Sequence, residues 1–246
     1  MIRTPVRRQQ IASAVIAFAA AFGGVMQAAH AAGPAAPKAS PSAVAAHERI
    51  TRDNAVLVIV DHQVGLYTGV RDIDTLQLKH NIVGLTKAAV ALKVPVIVTT
   101  TTENMWGPMI PELTDALPGV KRIERTTVNA WDDPRVVAAI QATGRKHLII
   151  TGVSTDVCLA FPAMSAVAEG YHAYAVIDAS GGFSKTQVDM GVQRMVQAGV
   201  APVGYSNIAV ELLGDNASPD AGAVYAALGI PFAGLVFDLN QYFSKK

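Results

Sequence analysis

The chain has 246 residues, of which 51% are hydrophobic and 16% charged, with 20 Lys and Arg against 19 Asp and Glu. That near balance gives no electrostatic case for binding nucleic acid or an anionic membrane surface, both of which call for an excess of positive charge. A single cysteine excludes an intrachain disulfide and any reading as a disulfide-stapled scaffold.

Arg3, Arg7 and Arg8 precede an apolar segment, residues 11–29, that ends in Ala29-His30-Ala31, a small-x-small cleavage pattern. Residues 1–31 therefore read as a secretory signal peptide, which predicts export to the periplasm and no stable membrane association after cleavage. A retained anchor is the alternative, weakened by the small residues and Gly23-Gly24. Cleavage removes three of the 20 basic residues and no acids, so 17 basic side chains face 19 acidic ones over 215 residues, enough for one domain with a sizeable core. Residues 32–48, rich in Ala, Pro and Ser, read as a flexible linker, and 49–246 as the folded domain.

Residues 55–60, Ala-Val-Leu-Val-Ile-Val, form a continuous apolar run of strand length, as expected for a strand covered on both faces. The run ends at Asp61-His62-Gln63. Leu78, Ile82, Leu85, Ala89 and Leu92 recur at three and four residues, predicting a helix over 75–92. Residues 94–98 are the next strand, followed by an irregular segment, 99–119, of the kind that lines sites. A short strand is expected at 121–125. A helix over 132–143 starts at Asp132-Asp133-Pro134 and stops at Gly144, and a strand follows at 148–150. The helix over 159–168 ends at Gly170, a strand covers 173–177, and Ser184-x-x-Gln187 is a capping box opening a helix to about 198. A sixth strand is expected at 200–205, a modest helical signal at 221–228, and beyond it Phe232, Leu235, Val236 and Phe237 form an apolar packing or oligomerisation tail. Regular alternation of strand and helix implies an α/β sandwich on a mostly parallel sheet, with ligands outside the carboxyl ends of the strands.

Asp61, the loop after the second strand, and Cys158 fall at that edge. Thr155 is a plausible helix N-cap, which sets Cys158 in the first turn, where free N–H groups and the helix dipole favour a thiolate. Pro162 removes the helical bond to the Cys158 carbonyl and predicts an irregular first turn. Asp61, partly buried at a strand end, is a candidate proton carrier. Arg125 can hold a thiolate or carboxylate by charge but cannot serve as a base. Gln63, Leu66, Trp106, Asn129, Trp131 and Phe161 are candidates for lining a substrate pocket, and His62 reads as structural.

These residues carry a resemblance. Ile59-Val60-Asp61-His62-Gln63, Arg122-Ile123-Glu124-Arg125 with Asn129-Ala130-Trp131, Ile149 through Cys158, Glu169-Gly170-Tyr171 and Val176-Ile177-Asp178-Ala179 resemble the isochorismatase-like cysteine hydrolases over about residues 52–215. Asp61-His62-Gln63, Asn129-Ala130-Trp131-Asp132 and Cys158-Leu159-Ala160-Phe161-Pro162-Ala163 resemble the YcaC-type branch. The resemblance implies a Rossmann-like three-layer α/β/α sandwich with a six-stranded sheet of order 3-2-1-4-5-6. It implies a triad of Asp61, Cys158 and, in the family's lysine position, Arg125 in an electrostatic role. It also implies a cis peptide at Val153-Ser154, an oxyanion hole made by the Ser154 and Cys158 N–H groups, and a ring-type homo-oligomer, an octamer. No Asp-x-His pair follows the second strand, so neither metal nor cofactor is expected. The expectation is a cysteine hydrolase cleaving a small amide or related C–N bond through a thioester. A thiol redox or binding module, or a structural oligomer with a vestigial site, stands as the alternative.

Overall fold

The computed structural model describes residues 49–244; the expected signal peptide (1–31) and linker (32–48) lie outside the described residues. From the first strand the elements run β1 (Ala55–Val60), α1 (Val64–Tyr67), α2 (Thr75–Ala91), β2 (Val96–Thr101), α3 (Glu103–Trp106), α4 (Pro111–Ala116), β3 (Arg122–Arg125), α5 (Pro134–Ala142) and β4 (His147–Gly152). They continue with α6 (Ala160–Ala168), β5 (His172–Val176), α7 (Lys185–Gln197), β6 (Ala201–Val203), α8 (Tyr205–Leu213), α9 (Ala221–Leu228) and α10 (Pro231–Ser244). The six strands form one parallel sheet of order β3-β2-β1-β4-β5-β6.

The two central strands, β1 and β4, are buried throughout because both faces are covered. Along β1, Leu57 and Ile59 point to one side and pack with Leu78, Ile82 and Leu85 of α2, Ile208 and Leu212 of α8, and Val224 and Leu228 of α9. Val56, Val58 and Val60 point to the other and meet Val136 and Ile140 of α5, Ala160, Ala163 and Ala166 of α6, and Met195 of α7. Alternate side chains of one strand thus feed two cores, which makes three layers. Each fully buried Leu or Ile stabilises the fold by about 1.5–3 kcal/mol. Asp74 starts α2 by accepting from the Leu76 and Gln77 N–H groups, and Ser184 starts α7 by accepting from Gln187 N–H.

The segment 99–119 is not irregular, contrary to expectation: it holds the end of β2, α3 and α4. Its helices are too short to show a period, and Pro111 opens α4 at a position where its missing N–H is harmless. The sixth strand is shorter than expected and gives way to α8 at Tyr205, whose N–H is held by Asp178 Oδ1 at 2.7 Å. At the C-terminus, α10 exposes Phe232, Leu235, Val236, Leu239, Tyr242 and Phe243 to solvent in a single copy. No helix among the described residues is long and apolar enough to cross a membrane.

Candidate active site

The carboxyl ends of β1, β3 and β4 converge. Asp61 follows β1 with φ 57°, a left-handed conformation that Asp adopts more readily than most residues and that takes its side chain out of the strand's alternation. Its N–H remains on Thr99 O at 3.0 Å, and the residue is fully buried. Arg125 ends β3, two strands away, and reaches across β2: Nη2 donates to Asp61 Oδ2 at 2.5 Å and Nε to Thr99 Oγ1 at 3.0 Å. Its Nη1 donates to the carbonyls of Thr127 and Val128, tying the loop after β3 to the same guanidinium.

Cys158 lies beyond the end of β4, in a turn that departs from expectation. Thr155 caps nothing: its N–H goes to Gly181 O at 2.9 Å, and its hydroxyl has no hydrogen-bond partner. Residues Thr155–Leu159 form a π turn closed by Leu159 N–H on Ser154 O at 3.1 Å, and α6 begins only at Ala160. Pro162 explains the delay, because it offers no N–H to the Cys158 carbonyl. Such single π turns are common at functional sites. The Val153-Ser154 peptide is cis.

The thiol is not a resting thiolate. Burial first, then the adjacent charge of Asp61, pushes its pKa well up, against the opposing Ser154 N–H and Arg125. Position in the helical turn is thus outweighed by desolvation and a neighbouring carboxylate, and the expected helix-dipole stabilisation of a thiolate does not hold. The residue as a whole is only partly buried, although its sulfur is desolvated. Burial also raises the Asp61 pKa, opposed by Arg125 and by Cys158. The two groups lie close enough to shift each other's titration, yet Asp61 Oδ1 has no aligned hydrogen-bond partner at rest. A carboxylate oxygen with no other partner therefore lies near a protonated thiol.

Residues outside the triad set this geometry. A Cβ built on Gly152 falls 2.7 Å from Leu159 N and 2.8 Å from Cys158 C, so only glycine lets β4 run this close under the nucleophile turn. Gly152 N–H is pinned by Ser180 Oγ at 3.0 Å, and Ser180 Oγ–H donates to Val176 O. Gly152→Ala is expected to displace Cys158 and lower kcat/KM by on the order of 100-fold, with a stability loss of about 1–3 kcal/mol, read by kinetics and thermal melting. The run Ser180-Gly181-Gly182 is the sequence signal for this support, since small residues in succession permit close backbone approach.

The other candidates separate. Leu66 and Trp106 line a common cavity. Phe161 lines a different one with Asp156 and Arg194, whose guanidinium stands over its ring. Gln63, Asn129 and Trp131 line neither of these cavities, and their polar atoms are engaged within the protein. Gln63 is a strut between Thr101 and Gly107, Asn129 caps the turn at Trp131 and reaches Ser165, and Trp131 is buried against Tyr171 with its indole N–H on Glu169. Each is a polar or amphipathic side chain whose donors are satisfied within the protein. His62 bridges Tyr67 Oη and Thr151 Oγ1, and burial lowers its pKa to about 3, so it is a neutral strut. Among the described residues no three His, Cys, Asp or Glu side chains cluster as a metal ion requires.

Residues 55–205 match the isochorismatase domain. Probable hydrolase YcaC of Escherichia coli (strain K12) is 41% identical over 166 residues, covering 67% of this chain and 80% of that protein. The structure of YcaC from Pseudomonas aeruginosa with hexane-2,5-diol and covalent acrylamide is 37% identical, with a TM-score of 0.74 over 79% of this chain and 98% of that one. The Escherichia coli YcaC structure, described as an octameric hydrolase of unknown specificity, is 36% identical with a TM-score of 0.75, covering 80% and 98%.

Proposed function

The chain belongs to the isochorismatase family, as a hydrolase of its YcaC-type branch, and on that premise we propose that it cleaves a small amide or related C–N bond through a thioester on Cys158. The observation that carries this reading is the unpartnered Asp61 Oδ1 beside a neutral, desolvated thiol. When substrate enters, the Cys158 proton passes to Oδ1 and the sulfur attacks the carbonyl carbon. No charge is created in this step, because the carboxylate's charge moves to sulfur, where Arg125 and the Ser154 N–H meet it. The Ser154 and Cys158 N–H groups hold the oxyanion. As the tetrahedral species collapses, the C–N bond breaks and the Asp61 proton leaves on the amine. Asp61 then takes a proton from water as its oxygen attacks the thioester, and acid and thiol are released.

A raised thiol pKa also weighs against a redox sensor, since oxidation follows thiolate character and exposure. The covalent acrylamide of the Pseudomonas aeruginosa relative supports electrophile capture within this fold. Export through residues 1–31 and assembly into a homo-oligomer complete the proposal; the octamer described for the Escherichia coli relative and the exposed apolar side chains of α10 support assembly.

Rapid acid quench during turnover of small amides, followed by peptide mass spectrometry, tests the mechanism. An acyl group on the Cys158 peptide is the expected result. Turnover that leaves Cys158 unmodified and survives its alkylation would overturn the thioester.

A further inference from the structure

A cavity of about 260 Å³ is lined by Gly65, Leu66, Thr68, Gly69, Trp106 and Phe183. Its walls come from segments that follow the catalytic strand ends or brace the nucleophile turn. Leu66, five residues beyond Asp61, belongs to α1, and Trp106 to α3 just past β2. Phe183 sits on the loop whose Gly181 pairs with Val153 and accepts the Thr155 N–H, while Gly182 is held by Arg71 and Asp72 on the other side. That loop is thus clamped between the Cys158 turn and the end of α1. The Phe183 ring lies over Gly69, where an added Cβ would meet Cδ1 and Cε1 at 2.9 Å, so glycine makes room for the ring.

None of the six lining residues is charged. The charges nearest the reacting atoms, Asp61 and Arg125, are paired with each other. An ionised substituent entering this space loses hydration and meets at the rim only Arg71, whose Nη1 is already on the Thr68 and Val70 carbonyls, whereas an apolar one loses nothing polar. The volume is also below that of pockets for drug-sized ligands.

Resting on the hydrolase reading above, we propose that this cavity receives the acyl substituent of a neutral amide bearing a small aromatic or branched aliphatic group, and that Phe183 sets its size. Binding to the full chain carrying Cys158→Ser, measured calorimetrically, tests the pocket separately from the chemistry. Benzamide should bind on the order of tenfold more tightly than acetamide, and the anionic succinamate should not bind. Phe183→Ala should erase most of the benzamide advantage. Thr68→Asp, a change at an exposed position whose hydroxyl donates to Gly65 O, should weaken benzamide and favour the cationic β-alaninamide. Benzamide binding no tighter than acetamide, a preference for succinamate, or indifference to both substitutions would overturn the proposal. If the binding pattern holds but the unsubstituted chain cleaves none of these amides, the pocket stands and the amide-cleaving reading falls.

Discussion

Cys158→Ala is expected to abolish turnover and leave the fold intact. The side chain contributes the attacking sulfur and little of the architecture. The turn that carries it is closed by backbone bonds, Leu159 N–H to Ser154 O and Thr155 N–H to Gly181 O, and by the close passage of Gly152 beneath it. None of these involves Sγ. Loss of the nucleophile in a cooperative set of catalytic groups lowers kcat by on the order of 10⁶, which amounts to background. Loss of a partly buried sulfur falls within the ordinary range for a single substitution, about 0.5–3 kcal/mol. Cys158→Ser is expected to be as inactive as Cys158→Ala. Asp61 is matched to a thiol proton, and a hydroxyl is far less acidic. Steady-state kinetics on an amide that acylates the native chain, with circular dichroism melts of both variants, separate the two effects. Retained turnover in either variant would remove Cys158 from the chemistry; a collapsed melt would make it structural.

Where the sequence was legible, the physics was local and repeated. The unbroken apolar runs of β1 and β4 announced strands buried on both faces, and the three- and four-residue spacing in α2 announced its helix. Asp61 and Cys158 could be singled out because polar residues at the ends of such runs fall on the ligand edge of a parallel sheet. Strand order and the place of Arg125 came through resemblance to a family, not through pattern. What stayed hidden depends on tertiary distance. The helices α1, α3 and α4 have four to six residues, too few for a hydrophobic period. Pro162 foretold an irregular turn, but its π form needs the Leu159 to Ser154 bond to be seen. The thiol's protonation is a balance of desolvation against Arg125 and Ser154, with no sequence signature. Gln63, Asn129 and Trp131 looked like pocket residues because they sit in loops. Only the fold shows that their polar atoms already have partners.

Arg125→Ala should produce the largest stability loss of any single change at the site, together with a shift in the pH profile that identifies its target. The side chains of Arg125 and Asp61 are both completely buried, so removing the guanidinium strands an unpaired carboxylate in the interior. Breaking such a pair from one side is worth about 3–5 kcal/mol. The direction with pH follows from the Asp61 titration. Burial already holds its folded pKa above the ordinary value, and Arg125 opposes that shift, so the alanine variant raises it further. A carboxyl whose folded pKa lies above its unfolded one favours folding in its protonated form. That contribution is full below the unfolded pKa of about 3.9 and is lost as pH rises through the folded pKa. Arg125→Ala should therefore lose melting temperature more steeply than the native chain as pH is raised from about 4 towards neutrality. The acid limb of kcat/KM should move to higher pH, because Asp61 must be ionised to accept the thiol proton. Arg125→Lys divides the two roles. Its charge should return the acid limb towards the native position, whereas a single ammonium cannot reproduce the bonds to Thr99 Oγ1 and to the Thr127 and Val128 carbonyls. Stability should stay reduced in the lysine variant while the pH profile recovers. An acid limb unmoved by Arg125→Ala would show that the guanidinium braces the loop after β3 and takes no part in tuning the base.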